Sequence, residues 1–374
     1  NPTWNEIKEI VHNAAKQHIG NIKKKFNKIE YSKEIEKLSE KQKEIRTQIS
    51  NSKSAKKIKE LKTNRNQIIK QVKKKQEEIR NRNIDNTIEQ IDKAQNDRKM
   101  YTAIRSLYKE ESENNFVHDY EGNCITNPNE INQLKKEHFK HNLHDATIPK
   151  IDPFRGLPRP LNKPITEQEV TEAIKKFSNN KAPGEDQIQV EMIKYGPQIL
   201  IQEIQKTLNN IFIEHQDQVN INKSILIPAQ KPNKKKGPIP HLRAINLLNT
   251  IRKILSSITL TRINPRIDSY LSQSQAAYRK GRSTTDIVCA HRFILAKVQK
   301  YVELTIDIRG IDMSAAFDTI HRHKVIRELE DILDEDELRM TQLLLTNTTI
   351  LIQTGNIQSE EVNTNIGSPQ GDGL

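Results

Sequence analysis

The stretch that most constrains this chain is 302–321. An apolar, β-prone run, Val302-Glu-Leu-Thr-Ile306, leads to Gly310 and then to Asp312 after Ile311. Ser314, Ala315 and Ala316 follow as a small-residue turn, with Phe317 five positions and Asp318 six positions past Asp312. A carboxylate at the end of a buried strand is placed to hold a hard cation such as Mg²⁺ through its oxygens. Small side chains beyond it leave room for a bulky group such as a nucleotide. Asp307 lies in the same run, but no small-residue turn or aromatic follows it, so the cation role falls to Asp312. The expectation is a strand bearing Asp312, inside a sheet that other segments must cover.

Charge narrows the partners. The 374 residues carry a formal charge of +13. Residues 1–100 hold 26 Lys/Arg against 14 Asp/Glu, a surplus of +12, so the rest is nearly neutral. A polyanionic partner is expected, engaged mostly by the N-terminal quarter. Hydrophobic residues make up only 34% of the chain, low for one compact globule and consistent with separate regions. Cys124 and Cys289 lie far apart with no companion ligand, which excludes a zinc ribbon or disulfide framework and fits an intracellular, reducing compartment. Both are read as buried or inert thiols. No apolar run approaches the ~20 residues of a membrane span, so no membrane partner is expected. The sequence opens on Asn1 and closes on Gly371-Asp-Gly-Leu374, and both ends read as cut.

Periodicity sets the organisation. Trp4, Ile7, Ile10 and Val11 have helical spacing. Ile35, Leu38, Gln42, Ile45 and Ile49 step by three and four; the pattern resumes after 51–54 with Ile58, Leu61, Arg65, Ile68 and Val72, and Ile79 follows. This predicts two amphipathic helices in an antiparallel, coiled-coil-like hairpin, with Gln42 and Arg65 as polar seam positions. Ile84, Ile88 and Ile91 extend a helical face toward Met100. Lysines there either solvate a helix pair or grip nucleic-acid phosphates without reading sequence. Residues 1–110 are therefore a basic helical region. Residues 111–164 are a connection, with a turn at 120–123, a helix after Asn127, and five prolines between Pro149 and Pro164 that read as an extended linker. The boundary is placed there.

From Thr166 the texture changes. Thr166-Glu-Gln-Glu169 is a capping box flanked by Ile165 and Val170 as a staple. Helical segments follow at 190–195, 199–212 and 251–263. A strand over 225–232 runs into the basic loop 234–237 and returns over 242–248. Residues 325–333 and 338–345 read as helices, and 349–352 with 362–364 as a hairpin around Gly355.

Four ordered blocks carry a resemblance: Lys181-Ala-Pro-Gly-Glu-Asp186; Arg243-Ala-Ile-Asn-Leu-Leu-Asn249; Ala277-Tyr-Arg-Lys-Gly-Arg-Ser-Thr284 with Asp312-Met-Ser-Ala-Ala-Phe-Asp318; and Gly367-Ser-Pro-Gln-Gly-Asp372. Together they resemble the reverse transcriptase of a non-LTR retrotransposon over residues 165–374. The resemblance implies an α+β fold, the fingers and part of the palm of a right-hand polymerase, preceded by the long basic helical region. It implies RNA-directed DNA synthesis, with an RNA template, a DNA primer and deoxynucleoside triphosphates as partners, and Mg²⁺ or Mn²⁺ as cofactor. An endonuclease fused upstream and a nuclear and cytoplasmic location are also expected. Asp312 matches the catalytic metal ligand, and the Met313 carbonyl assists at the nucleotide metal. Phe317 matches the aromatic gate beneath the sugar. Arg243 and Lys231 match the triphosphate clamp. Gln370 and Gly371 match the loop against the nascent base pair, and Arg279 and Arg282 match template-backbone contacts.

Departures from the family pattern are Ala244 in place of Pro, Tyr278 in place of Phe, and Gly373 in place of Pro. No adjacent Asp-Asp pair occurs in the chain, whereas the family's further metal carboxylates come from such a pair beyond the Gln-Gly loop. The chain is accordingly expected to be truncated before those carboxylates and inactive by itself. A catalytically inactive copy and a basic helical nucleic-acid-binding protein are the alternative readings.

Overall fold

The computed structural model describes residues 3–20, parts of 37–49, 55–93, 100, 116–214, 221–300 and 305–372, apart from short gaps at 154–155, 157, 314 and 370. Two compact units result, one of Asn1–Gly20 with Asn114–Leu374 and one of Asn21–Glu113.

In chain order, α1 spans Trp4–His18 and α2 spans Ala55–Asp92. The short strands β1 (Val117–His118) and β2 (Cys124–Ile125) precede α3 (Pro128–Leu143), α4 (Glu167–Lys176), α5 (Val190–Lys194) and α6 (Gln198–Glu214). Then come β3 (Lys223–Gln230), a 3-10 turn at Ile239–His241, β4 (Leu242–Leu248), α7 (Thr250–Tyr270) and α8 (Thr284–Val298). The remaining elements are α9 (Arg322–Glu330), α10 (Glu335–Leu345), β5 (Thr348–Thr354) and β6 (Ile357–Thr364).

In the smaller unit, α2 is one unbroken helix of 38 residues. Helical positions also occur within 37–49, and Ile45 and Ile68 are buried. Gln42 and the 51–54 turn of the expected hairpin lie outside the described residues.

In the larger unit the four-stranded sheet has the order β4-β3-β5-β6. β3 runs antiparallel to β4, with Ile227 opposite Ile245, and parallel to β5, with Ile225 opposite Leu351. β5 and β6 form the hairpin expected around Gly355, which takes φ 59°. Alternation along the strands sends Leu226, Leu242, Ala244, Ile350, Ile352 and Val362 into one cluster, which α3 covers with Phe139 and Leu143. The main core is helical. It joins Trp4 and Ile7 of α1 to residues of α4, α6, α7 and α10, including Ile204, Phe212, Ile254, Leu255, Met340 and Leu343.

Local chemistry explains the element starts. Thr166 caps α4 in a reciprocal box with Glu169, as its sequence implies. Asn127 caps α3 through the Asn129 N–H, with Pro128 where its missing N–H costs nothing. Gly184 sits so close to the β4–α7 junction that a Cβ would stand 2.5 Å from the Asn249 nitrogen. Asp186 ties the same junction, accepting from Thr250 N at 2.8 Å and Ile188 N at 3.2 Å. Burial nonetheless pushes its carboxyl up to about 6.

Four expectations change. α1 packs into the main core, so residues 4–18 group with the larger unit and not with the helical region to 110. Leu161 and Ile165 are fully packed there too, so the proline-rich span is partly built into the core instead of dividing two domains. α7 runs past Pro265 to Tyr270. Packing of Ile263 and Ile267 on Ile326 and Leu338, with Arg266 paired to Asp334 and Glu337, holds the helix beyond the proline. Cys124 and Cys289 are exposed, because β2 is a short surface strand and α8 buries no residue.

Candidate functional site

The segment meant to carry the chemistry is not a buried strand. Residues 305–313 have no regular secondary structure and lie exposed; 301–304 are outside the described residues. Ile311 is 91% and Met313 75% exposed, which puts Asp312 on an open segment rather than at a strand end. The physical reason is pairing. A β-prone run becomes a strand only against a hydrogen-bonding edge, and among the described residues the sheet ends at β4 and β6 without engaging 305–313.

Further along, the chain closes into a defined site. Ser368 N donates to Phe317 O and Gly367 N to Ile320 O, each at 2.8 Å, so 317–320 lies alongside 367–368. Gly367 takes φ 74°, and a Cβ there would stand 2.9 Å from Phe317 O. Gly371 takes φ 122°, and its Cβ would meet Asn246 O of β4 at 2.7 Å. Glycine is required at both places by backbone conformation and by close approach. The 367–371 turn therefore wedges between β4 and the Phe317 segment.

Phe317 meets Tyr278 edge to face, with ring centroids 6.0 Å apart. Both rings are accessible, Tyr278 at 85% and Phe317 at 43%. Tyr278 (φ 60°) and Ala315 (φ 51°) sit in the left-handed region, which costs a non-glycine residue about 1 kcal/mol or more. Two strained residues flanking one exposed aromatic pair mark it as a candidate contact surface.

The remaining sequence-predicted residues separate clearly. Arg243 is exposed on β4, opposite Ala229, with no hydrogen-bond or ion-pair partner among the described residues. Lys231, just past β3, donates from Nζ to Pro240 O at 2.9 Å beside the basic loop 234–236. Arg279 is engaged within the protein. It pairs with Asp268 at 2.7 Å and donates to Ser272 O and Asp268 O, and that carboxylate raises its guanidinium further. Arg282 donates to Gln273 Oε1 at 3.3 Å. Gln370 lies outside the described residues.

The sequence reading overlooked Asn246, whose carbonyl meets Gly371, and the Tyr278–Phe317 pairing. It also overlooked two buried arginines, Arg252 and Arg322. Arg252 had a signal, a lone cation in the apolar stripe Ile251, Ile254, Leu255. Arg322 had none.

As a metal site the described residues are incomplete. No group of three or more His, Cys, Asp or Glu is arranged to hold a metal ion among them. A two-metal centre needs carboxylates on both sides of the ions, so Asp312 alone does not fit it. Among the described residues, no helix is long and apolar enough to cross a membrane.

Residues 231–374 match the family described as reverse transcriptase (RNA-dependent DNA polymerase). That range holds β4, the Phe317 segment and the wedged turn. This is reverse transcriptase sequence of the non-LTR retrotransposon type. The chain is similar to a retrovirus-related Pol polyprotein from the type-1 retrotransposable element R1 of Bradysia coprophila, 25% identical over 54% of this chain and 20% of the relative. It is similar to a probable RNA-directed DNA polymerase from transposon BS of Drosophila melanogaster, 22% identical over 67% of this chain and 28% of the relative. An uncharacterized 149 kDa protein of transposon TX1 from Xenopus laevis is 23% identical over 46% of this chain and 13% of the relative. The chain thus spans about a fifth to a quarter of the length of the first two. Enzymes of the reverse transcriptase family depend in general on divalent metal.

Proposed function

We propose that residues 231–374 form the nucleotide- and template-facing part of an RNA-directed DNA polymerase from a non-LTR retroelement. Primer, RNA template and deoxynucleoside triphosphates are its substrates, and Mg²⁺ is the metal in the complete enzyme. The observation that carries this is the wedge. Phe317, the 367–371 turn and β4 with Arg243 come from three separate sequence blocks and are brought into contact by backbone hydrogen bonds and glycine packing. In this reading Phe317 lies beneath the sugar, Gly371 lets the backbone approach the nascent pair, and Arg243 with Lys231 faces the triphosphate. Asp312 supplies one carboxylate to the metal, and no catalytic step is assigned to the described residues beyond binding and orientation. The residue spans read as fingers and partial palm, and the endonuclease assigned upstream, belong to the same proposal.

The α2 helix adds an electrostatic arm. Residues 55–75 hold nine Lys/Arg and one Glu, while residues 76–92 hold two Arg and five Asp/Glu. No acidic residue stands in the first turn, so the charge gradient opposes the helix dipole. A gradient that does not stabilise the helix is readily understood as a surface for phosphates.

The test is fluorescence anisotropy with oligo(dT)-primed poly(A). The 374-residue chain should bind, tighten when dTTP is added in Mg²⁺ buffer, and give no primer-extension product. Arg243→Ala should abolish the dTTP-dependent tightening; its persistence would remove Arg243 from the site. Extension that vanishes in Asp312→Asn would overturn the expectation of inactivity. Replacing Lys56, Lys57, Lys59, Lys62, Lys73 and Lys74 with Gln should lower the slope of log affinity against log salt by about 0.7 per phosphate released. An unchanged slope would remove the arm from the binding surface.

A further inference from the structure

The turn 366–372 is gripped at both ends by a buried arginine. At its start, Arg322, the first residue of α9 and 3% exposed, donates from Nε to Gly367 O at 2.7 Å and from Nη2 to Ile366 O at 3.0 Å. Its other N–H groups reach Leu345 O at 3.0 Å, Thr348 Oγ1 at 2.5 Å, and the Thr364 carbonyl and hydroxyl at 3.3 Å. One guanidinium thus gathers the end of α10, the start of β5, the end of β6 and the turn. Its printed partners are all neutral oxygens. Burial and the neighbouring Arg252 charge bring it down to about 9, a sign of how unfavourable the position is for a cation.

At the other end, Asp372 directs Oδ2 to Arg252 Nη2 at 2.9 Å and Nε at 3.2 Å. This pair is almost fully buried, 1% and 2% exposed. Arg252 continues to Leu344 O at 2.8 Å and to the Asn222 side-chain oxygen, and Asn222 donates to Leu343 O and Thr346 O. Lys253 next door is also mostly buried and feels Asp372. A buried ion pair is weak ground for stability, because desolvation offsets attraction, but it fixes geometry when its other lone pairs and N–H groups are satisfied. Here they are, and between the two clamps the positive-φ glycines 367 and 371 are held against Phe317 and Asn246.

We propose that Arg252, Asp372 and Arg322 are positioning residues that lock the 366–372 turn into a preformed shape, fixing Gly371 against β4 before any nucleotide arrives. The assignment to nucleotide positioning rests on the polymerase reading above; the lock does not. A turn held this way presents its backbone to a ligand with little ordering cost, whereas a loose turn has to be ordered on binding. Three side chains outside the contact surface thereby tune a contact made by others.

Hydrogen exchange of the 374-residue chain, read in peptides covering 364–372 and 223–230, tests the lock. Asp372→Asn keeps the shape and removes the charge; Arg252→Met removes the partner. Each should speed exchange in 364–372 by about tenfold or more and leave 223–230 unchanged. The double variant should add little, since both changes break one pair. Arg322→Lys should loosen 366–367 alone, because an ammonium cannot span the same set of oxygens. Unchanged exchange in 364–372 overturns the proposal. Uniform acceleration in both peptides overturns it as well, since the pair would then be a general stabiliser. Anisotropy with oligo(dT)-primed poly(A) supplies the second readout. Asp372→Asn should lose the dTTP-dependent tightening while keeping the dTTP-independent affinity. Retained tightening alongside a loosened turn overturns the positioning role. Should the unaltered chain show no response to dTTP, the polymerase reading fails, and the exchange data still decide the lock.

Discussion

Helices α8 and α10 start from similar material and end in opposite environments. α8 carries Ile287, Val288, Phe293, Ile294 and Leu295, all exposed, and buries no residue. α10 carries Leu338, Met340, Leu343 and Leu344, all buried, together with a buried Arg339 whose guanidinium lies over the Phe212 ring. Each begins with a capping box, at Ser283 and at Asp334. Local signals therefore make both helices; what differs is cover. α10 lies against α7 and opens directly into β5, the central parallel partner of β3, so the sheet delivers it to the core. α8 leads into 305–313, which engages no sheet edge among the described residues. Apolar content states that a face can be buried, and topology decides whether it is.

That contrast can be attacked at several strengths. The largest effect is expected at Gly184→Ala, where the added Cβ would sit 2.5 Å from backbone on the β4–α7 junction. A loss of about 3 kcal/mol or more follows from forced backbone movement, read as the urea midpoint. Leu343→Ala in α10 should cost about 2–5 kcal/mol in the same assay. Phe293→Ala in α8 should stay within about 0.5 kcal/mol. A large loss at Phe293 would show that α8 is covered in solution and erase the contrast.

A smaller effect concerns pH. Burial, with help from the nearby charges of Lys231 and His141, holds His138 down to about 4 against an ordinary 6.5. Between those values the unfolded chain binds a proton that the folded chain refuses, so this group lowers stability as pH falls through that window. Asp186 acts oppositely. Raised to about 6 from 3.8, it keeps a proton that the unfolded chain has released, so its contribution to stability falls as pH rises through that range. The two nearly offset one another in the unaltered chain. His138→Gln should expose greater stability at pH 4.5 than at pH 7, and Asp186→Asn should expose the reverse. Midpoints that move together in both variants would contradict the assignment.

Much of the fold was legible from the sequence, for reasons that can be named. β3 and β4 appear where alternation and the basic loop placed them, and Thr166 caps α4 because a hydroxyl and Glu169 at that spacing satisfy two orphan N–H groups. Such signals act over three or four residues. The Asp312 strand failed because its forming depends on a partner edge that no local pattern encodes. The candidate site was half legible. The glycine-rich block 367–371 announced a close backbone approach, but its target, Asn246, lies more than a hundred residues away and carries no mark of the contact. Arg322 was invisible for the same reason: a surface-type residue at a helix start becomes a hub only once β5, β6 and the turn have converged on it.

The parallel pairing of β3 with β5 has a consequence in time. The two strands are neighbours in the sheet, yet 231–347 lies between them in the chain. At roughly 5–20 residues per second, a ribosome emits that intervening segment over ~6–24 s. During that interval β3 has β4 on one side and a bare row of amides and carbonyls on the other, open to any extended chain nearby. Pro228 lies beyond the stretch that β5 eventually covers, where pairing ends at Leu226, and it removes one donor from that edge. The nascent sheet is thus blunted where no permanent partner comes and vulnerable where one does, which makes synthesis rate a determinant of how much of this protein survives to fold.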